Sequence, residues 1–115
     1  MTVFDLDTAH QLLPKVQALT GEAARRADEV VAEAQRLPEG DPRRQGLEHM
    51  LRTIVEDWAR EISELGAEAK GLWLVDFDNG DGYWCWKHPE PSIEYWHSYE
   101  DGFAGRKLIS PEVVH

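Results

Sequence analysis

Cys85, His88, Glu90, Glu94 and His97 lie within thirteen consecutive positions of a 115-residue chain, and Arg106 follows nine residues later. Thiolate, imidazole and carboxylate are the usual protein ligands of zinc and iron, so Cys85, His88 and His97 with Glu90 or Glu94 could hold such an ion. No pair repeats in a CxxC or HxxxH arrangement, and a buried free cysteine often behaves as a small hydrophobe. The expectation is therefore no cofactor, with zinc or iron at Cys85 and His97 as the alternative. Arg106 closes the frame Gly102-Phe103-Ala104-Gly105-Arg106. Glycines let the backbone turn and approach closely, and a guanidinium can then grip an anion with two parallel hydrogen bonds. His97, beside Trp96, would add a titratable donor. The competing reading has Arg106 pinning the final loop through Glu94, Glu100 or Asp101.

Other chemistries have less support. Cys85 sits among tryptophans, which raise a thiol pKa and blunt it as a nucleophile. No Gly-x-Ser-x-Gly turn or phosphate-binding loop occurs. General acid–base work by Glu90 or Glu94 with His97 is compatible with the spacing without being demanded by it. Asp76-x-Asp78-Asn79-Gly80-Asp81 resembles a calcium loop, but Gly80 falls on a ligand position and Asp81 where the glycine belongs. A tight hairpin explains those residues better.

The elements that must position these groups are legible from period and turn signals. Nine of the eleven aromatic residues lie between Trp73 and Phe103. Leu72 to Phe77, Tyr83 to Lys87 and Ile93 to His97 read as three strands. An Asn79-Gly80 turn pairing Asp78 with Asp81 places Val75 opposite Trp84 and Trp73 opposite Trp86. A four-residue loop pairing His88 with Ile93 places Trp86 opposite Tyr95 and Trp84 opposite His97. One face then carries Trp73, Val75, Phe77, Trp84, Trp86, Ile93, Tyr95 and His97, and should cover the helices. The other carries Leu72, Leu74, Asp76, Tyr83, Cys85, Lys87, Glu94 and Trp96, with Lys87 across from Glu94. This sorting puts Cys85 and His97 on opposite faces.

The first half reads as two helices. Apolar positions from Ala9 to Leu37 recur three or four apart, with Asp5 as N-cap, Phe4 as a staple against Ala9, and Pro14 expected to kink or divide the helix. Pro38-Glu39-Gly40-Asp41-Pro42 breaks it, with Asp41 and Pro42 restarting a helix. Its stripe is Leu47, Met50, Leu51, Ile54, Trp58, Ile62 and Leu65, before a stop at Gly66. The short connection makes the helices antiparallel neighbours. Their stripes would be partly uncovered unless a sheet, or a second copy forming a homodimer through the helix faces, buries them.

The formal net charge is −10, opposite to the basic footprint of a nucleic-acid partner. No run of about 18 apolar residues exists, so no membrane span is expected. The start lacks a signal-peptide pattern and the single cysteine forms no internal disulfide, which fits a cytoplasmic home.

Several segments taken together resemble a known family: Phe4-x-Leu6, Ala9 and Leu12-Leu13-Pro14 at the start; Gly71-Leu72, Val75-Asp76-Phe77, Cys85-Trp86-Lys87, Glu90-Pro91-x-Ile93, Trp96-His97 and Gly102-Phe103-Ala104-Gly105-Arg106 later. They are similar to a family of short bacterial proteins catalogued as domain of unknown function 2203. The resemblance spans nearly the whole chain and implies no activity. It implies that Cys85, Trp86, Glu90, Trp96, His97 and Arg106 occupy family-motif positions. His88-Pro89 departs from the family pattern, which makes His88 a poor candidate for a shared function.

The expectation is one α+β domain over 1–115. It comprises a helix over 5–37, a helix over 42–65, and a small antiparallel sheet of about three strands with its closing loop over 72–109. The favoured function is a binding module for a small anionic molecule or a protein partner. Trp86, Glu90, Trp96, His97 and Arg106 would be its site. The alternative is a metal-dependent or acid–base enzyme using His97, Glu90 and Cys85.

Overall fold

A computed structural model describes residues 2–109. It has the expected α+β arrangement of a helical hairpin packed on an antiparallel sheet, but the sheet has five strands rather than three. Helix α1 spans Leu6–Gln35 and α2 spans Arg43–Glu64. The Asp5 carboxylate accepts the Thr8 amide hydrogen at 2.8 Å and caps α1. Pro14 is inside α1, which continues through it undivided. The Asp41 carboxylate accepts the Arg43 amide hydrogen at 2.9 Å, supplying the cap at the start of α2.

The buried face of α1 is Ala9, Leu13, Val16, Thr20, Ala23, Ala24, Ala27 and Val30. Its alanines leave room for α2 to lie close. At mid-length the Trp58 indole donates to the Thr20 hydroxyl at 2.8 Å inside the helix interface. A polar residue is thus tolerated in the stripe because its hydroxyl is satisfied there.

The strands are β1 (Glu68–Gly71), β2 (Leu74–Asp78), β3 (Gly82–Lys87), β4 (Tyr95–Ser98) and β5 (Lys107–Leu108). They pair in chain order, each antiparallel to the next. A single turn of 3-10 helix, Phe103–Gly105, precedes β5. Val75, Phe77, Trp84 and Trp86 share the core with Ala9, Leu13, Val16 and Ile62, so these rings do cover the helices.

Three register expectations are corrected. In β2–β3, Val75 pairs with Trp86 and Phe77 with Trp84, two residues from the expected register. The reason is local: the Asn79 side-chain oxygen accepts the amides of Asp81 and Gly82, so Asn79 opens the turn and Gly80-Asp81 forms its tip. A shift of two preserves the faces. In β3–β4, Tyr83 pairs with His97 and Trp84 with Trp96, one residue from expectation, which exchanges the faces of β4. His97 and Tyr95 therefore join Cys85, and Trp96 joins Trp84. No tight loop fixes this pairing; residues 88–94 form an irregular connection that includes a cis His88–Pro89 bond. The expected Lys87–Glu94 pair is absent because the β3–β4 ladder ends at Cys85 and Tyr95; Lys87 pairs only with Leu74 of β2, and its ammonium stands 5.6 Å from the centre of the Phe103 ring.

Trp73 is the third correction. It occupies the β1–β2 turn at φ +59°, not a strand position opposite Trp86, and its ring packs edge-on against Trp58 at 5.0 Å.

Candidate functional site

The exchange of faces in β4 gathers three chemically capable residues on the side of the sheet away from the helices. Asp76 (1% exposed) is the direct cross-strand partner of Cys85 (0%), and His97 (3%) stands next to them on β4. One donor atom from each lies within 4.8 Å of the other two. Among the described residues this is the one cluster of three metal-ligand types.

The hydrogen bonds orient the imidazole. His97 Nδ1 lies 2.7 Å from the Ser98 carbonyl oxygen, which can only accept, so Nδ1 carries a hydrogen. Nε2 then faces Asp76 Oδ2 at 2.8 Å with a single proton between them. The other carboxylate oxygen, Asp76 Oδ1, is buried and has no hydrogen-bond partner. An unpaired buried carboxylate oxygen is costly, so Oδ1 is the acceptor in this cluster with the most to gain from a further donor or a cation.

Electrostatics follow from the enclosure. Burial raises the Asp76 pKa above its ordinary value, with His97 and Cys85 pulling the other way. Burial, reinforced by the Asp76 carboxylate, pushes the Cys85 thiol up to about 12, while Arg106 opposes the rise. A thiol so placed is no free nucleophile at neutral pH. A cation held between the three donors would reverse both trends at once.

Above Asp76 and His97 opens a cleft of about 240 Å³, walled by Lys70, Leu74, Tyr83, Tyr99 and Phe103. Tyr99 is fixed there by donating to the Asp78 carboxylate at 2.6 Å. That contact, with burial, takes the Tyr99 hydroxyl to about 12, so the phenol stays protonated. Gly102 turns the chain over the site at φ +65°, and Gly105 lies so near Asp101 that a side chain would collide at 2.6 Å.

The residues expected to bind a ligand fall into three groups, of which the one around Arg106 borders the cluster at Cys85. Arg106 is engaged: its two terminal nitrogens meet the Glu90 carboxylate at 3.0 and 2.6 Å, and its guanidinium stacks 3.8 Å from the Tyr95 ring centre. Its carboxylate is thus Glu90, not Glu94, Glu100 or Asp101. Glu90 also accepts the Lys87 amide on the same carboxylate, and its carbonyl accepts the Trp86 indole hydrogen at 2.8 Å. Trp86, Glu90 and Arg106 thereby form a clamp around the 87–90 turn. His97 belongs to the Asp76–Cys85 cluster. Trp96 lies on the opposite face, beside Trp84. Glu94 is exposed ahead of β4, and His88 packs near Trp86 away from the cluster.

Asp76 was missing from the expected site. Its signal was present: a charged residue in the strand Leu74-Val75-Asp76-Phe77, placed on the same face as Cys85. Reading β4 one residue out removed His97 from that face and hid the cluster.

No curated protein and no solved structure matches the chain. A family model described as an uncharacterized conserved protein, DUF2203, matches residues 2–109 and so takes in both helices, all five strands and the Asp76–Cys85–His97 cluster. The chain belongs to that family.

Proposed function

We propose that this protein binds a transition-metal ion, zinc by the chemistry of its donors, through Asp76, Cys85 and His97. The observation that carries the reading is the buried, unpartnered Asp76 Oδ1 within a cluster of one sulfur, one nitrogen and one oxygen donor. A tetrahedral zinc site places such donors roughly 3.3–3.6 Å apart. The Nε2–Oδ2 separation must therefore open slightly from 2.8 Å, within a cluster whose three donors already lie within 4.8 Å of one another. The Nδ1–H bond to the Ser98 carbonyl is the outer support that presents Nε2 to a metal.

Three protein ligands leave a fourth position, and the cleft over Asp76 and His97 is the side on which it would open. Zinc with three protein ligands and an exchangeable fourth can act as a Lewis acid on a small molecule in that cleft. Glu90 drops out of the ligand set because Arg106 and the Lys87 amide already occupy it. For the same reason an anion at Arg106 would first have to displace Glu90, so the anion-binding reading has less support than the metal one.

The test is titration of chelator-treated protein with zinc by calorimetry, and with cobalt by absorption. Expected are one ion per chain, a thiolate-to-cobalt charge-transfer band, and at least a hundredfold loss of affinity in both Cys85→Ser and His97→Ala. Failure of the folded wild type to take up metal would sink the proposal, as would uptake that survives both substitutions.

A further inference from the structure

On the other face of the sheet lies a second cleft, of about 460 Å³, bounded by Phe4, Asp5, Asn79, Asp81, Trp84 and Trp96. We propose that it binds an organic cation, a quaternary ammonium group, independently of the metal site.

The walls are aromatic and rigidly held. The Trp84 indole hydrogen goes to the Phe4 carbonyl at 3.0 Å, and the Phe4 amide donates to the Asp78 carbonyl at 2.7 Å. Phe4 is braced edge-on against Phe77 at 5.4 Å. Trp96 stands directly across from Trp84 in the β3–β4 ladder and is half-buried. Indole faces attract cations through their quadrupole, and tryptophan does so best.

The rim supplies charge of the right sign. Asp5 and Asp81 sit at the mouth, on a chain of net charge −10 that draws cations toward any such opening. Asp81 is exposed at the tip of the turn. Asn79 offers little as an acceptor, because its side-chain oxygen already takes two backbone amides. A primary ammonium or guanidinium brings several N–H groups, and only the two rim carboxylates, Asp5 and Asp81, could accept them, so those facing the aromatic walls would go unpaired. A quaternary ammonium brings none. Its methyl groups need only aromatic surface, and its charge needs only nearby carboxylates. Lys107 stands 5.9 Å from the Trp96 ring centre, at the outer limit of cation–π attraction, and so competes weakly.

Such a group could come as a free molecule or as a methylated lysine side chain. The experiment uses choline, a trimethyllysine peptide, and 3,3-dimethylbutanol as the neutral isostere. Binding is followed by calorimetry and by the indole N–H resonances of the full chain. Choline is expected to shift the Trp84 and Trp96 resonances and to bind at least tenfold more tightly than the isostere. Asp81→Asn, on an exposed turn, should weaken choline at least threefold, and Trp96→Ala at least fivefold. Tighter binding of the peptide than of choline would assign the side-chain source, and the reverse the free one. Equal binding of choline and the isostere would overturn the proposal. So would affinity unchanged in Asp81→Asn together with a Trp96→Phe variant made to preserve packing.

Discussion

At the residue scale, Asp76 separates what stabilises the fold from what serves a ligand. Burial raises its pKa above the ordinary 3.8, so the folded chain holds that proton to higher pH than the unfolded chain does. Stability of the metal-free protein must then fall as pH rises from about 4 through the raised value, because ionisation costs the folded state more. Asp76→Asn removes that cost, and its amide can donate to Nε2 of a neutral His97. We expect metal-free Asp76→Asn at pH 7 to be equal to the wild type or up to about 1 kcal/mol more stable. Its urea midpoint should vary less with pH between 4 and 8, and zinc should not raise it. A loss of about 2 kcal/mol or more would instead make the carboxylate a structural partner of His97. Cys85 adds a second dependence. Its thiol must lose a proton to ligate, and the proton shared by Asp76 and His97 must leave too, so two protons depart per zinc bound and affinity should rise roughly a hundredfold per pH unit while that shared proton is held. Calorimetry at pH 6, 7 and 8 checks this.

At the element scale, the two helices were legible because a period of three to four and explicit caps at Asp5 and Asp41 identify them locally. The central hairpin was legible for similar reasons: Asn79 and Gly80 mark the turn, and an error of two in register leaves the faces intact. Two strands were not. Residues 68–71, Glu-Ala-Lys-Gly, favour helix or loop by type and become β1 only because β2 offers them an edge to pair with. Strand β5 is two residues long and has no pattern to read. The register of β4 was unreadable because the loop before it is irregular. What marks it is Gly82, which sits opposite Ser98 where any Cβ would press into the His97 carbonyl. Gly82→Ala should therefore cost about 1–3 kcal/mol by overpacking and disturb β4 first. Loss of zinc binding and a changed near-ultraviolet tryptophan signal, with the far-ultraviolet helical signal retained, would place the damage there, because β4 carries Trp96. A variant of wild-type stability and affinity would refute the close-approach argument.

At the scale of the whole molecule, a 55 Å long body has its helical hairpin, sheet and closing segment joined at Glu90. The carbonyls of Glu90 and Pro91 lie at 3.5 and 3.2 Å from the Gln17 side chain in α1, and the Glu90 carbonyl also holds Trp86 in β3. Its carboxylate holds Arg106, which carries the chain into β5. The backbone half of this joint survives substitution, and the carboxylate half does not. Glu90→Ala leaves the Arg106 guanidinium, with a side chain only 17% exposed, without its counter-charge. Breaking a buried pair is worst when one charge stays behind, though partial exposure here limits the cost to about 2 kcal/mol. Replacing both partners, Glu90→Met with Arg106→Met, should recover part of that loss, since no orphaned charge remains. The same variants decide whether Arg106 serves an external anion. Phosphate should stabilise Glu90→Ala by refilling the guanidinium fork and leave the wild type unmoved, because in the wild type Glu90 already fills it. If phosphate instead raised the wild-type melting temperature and lost that effect on Arg106→Met, the clamp would be a displaceable latch over an anion site.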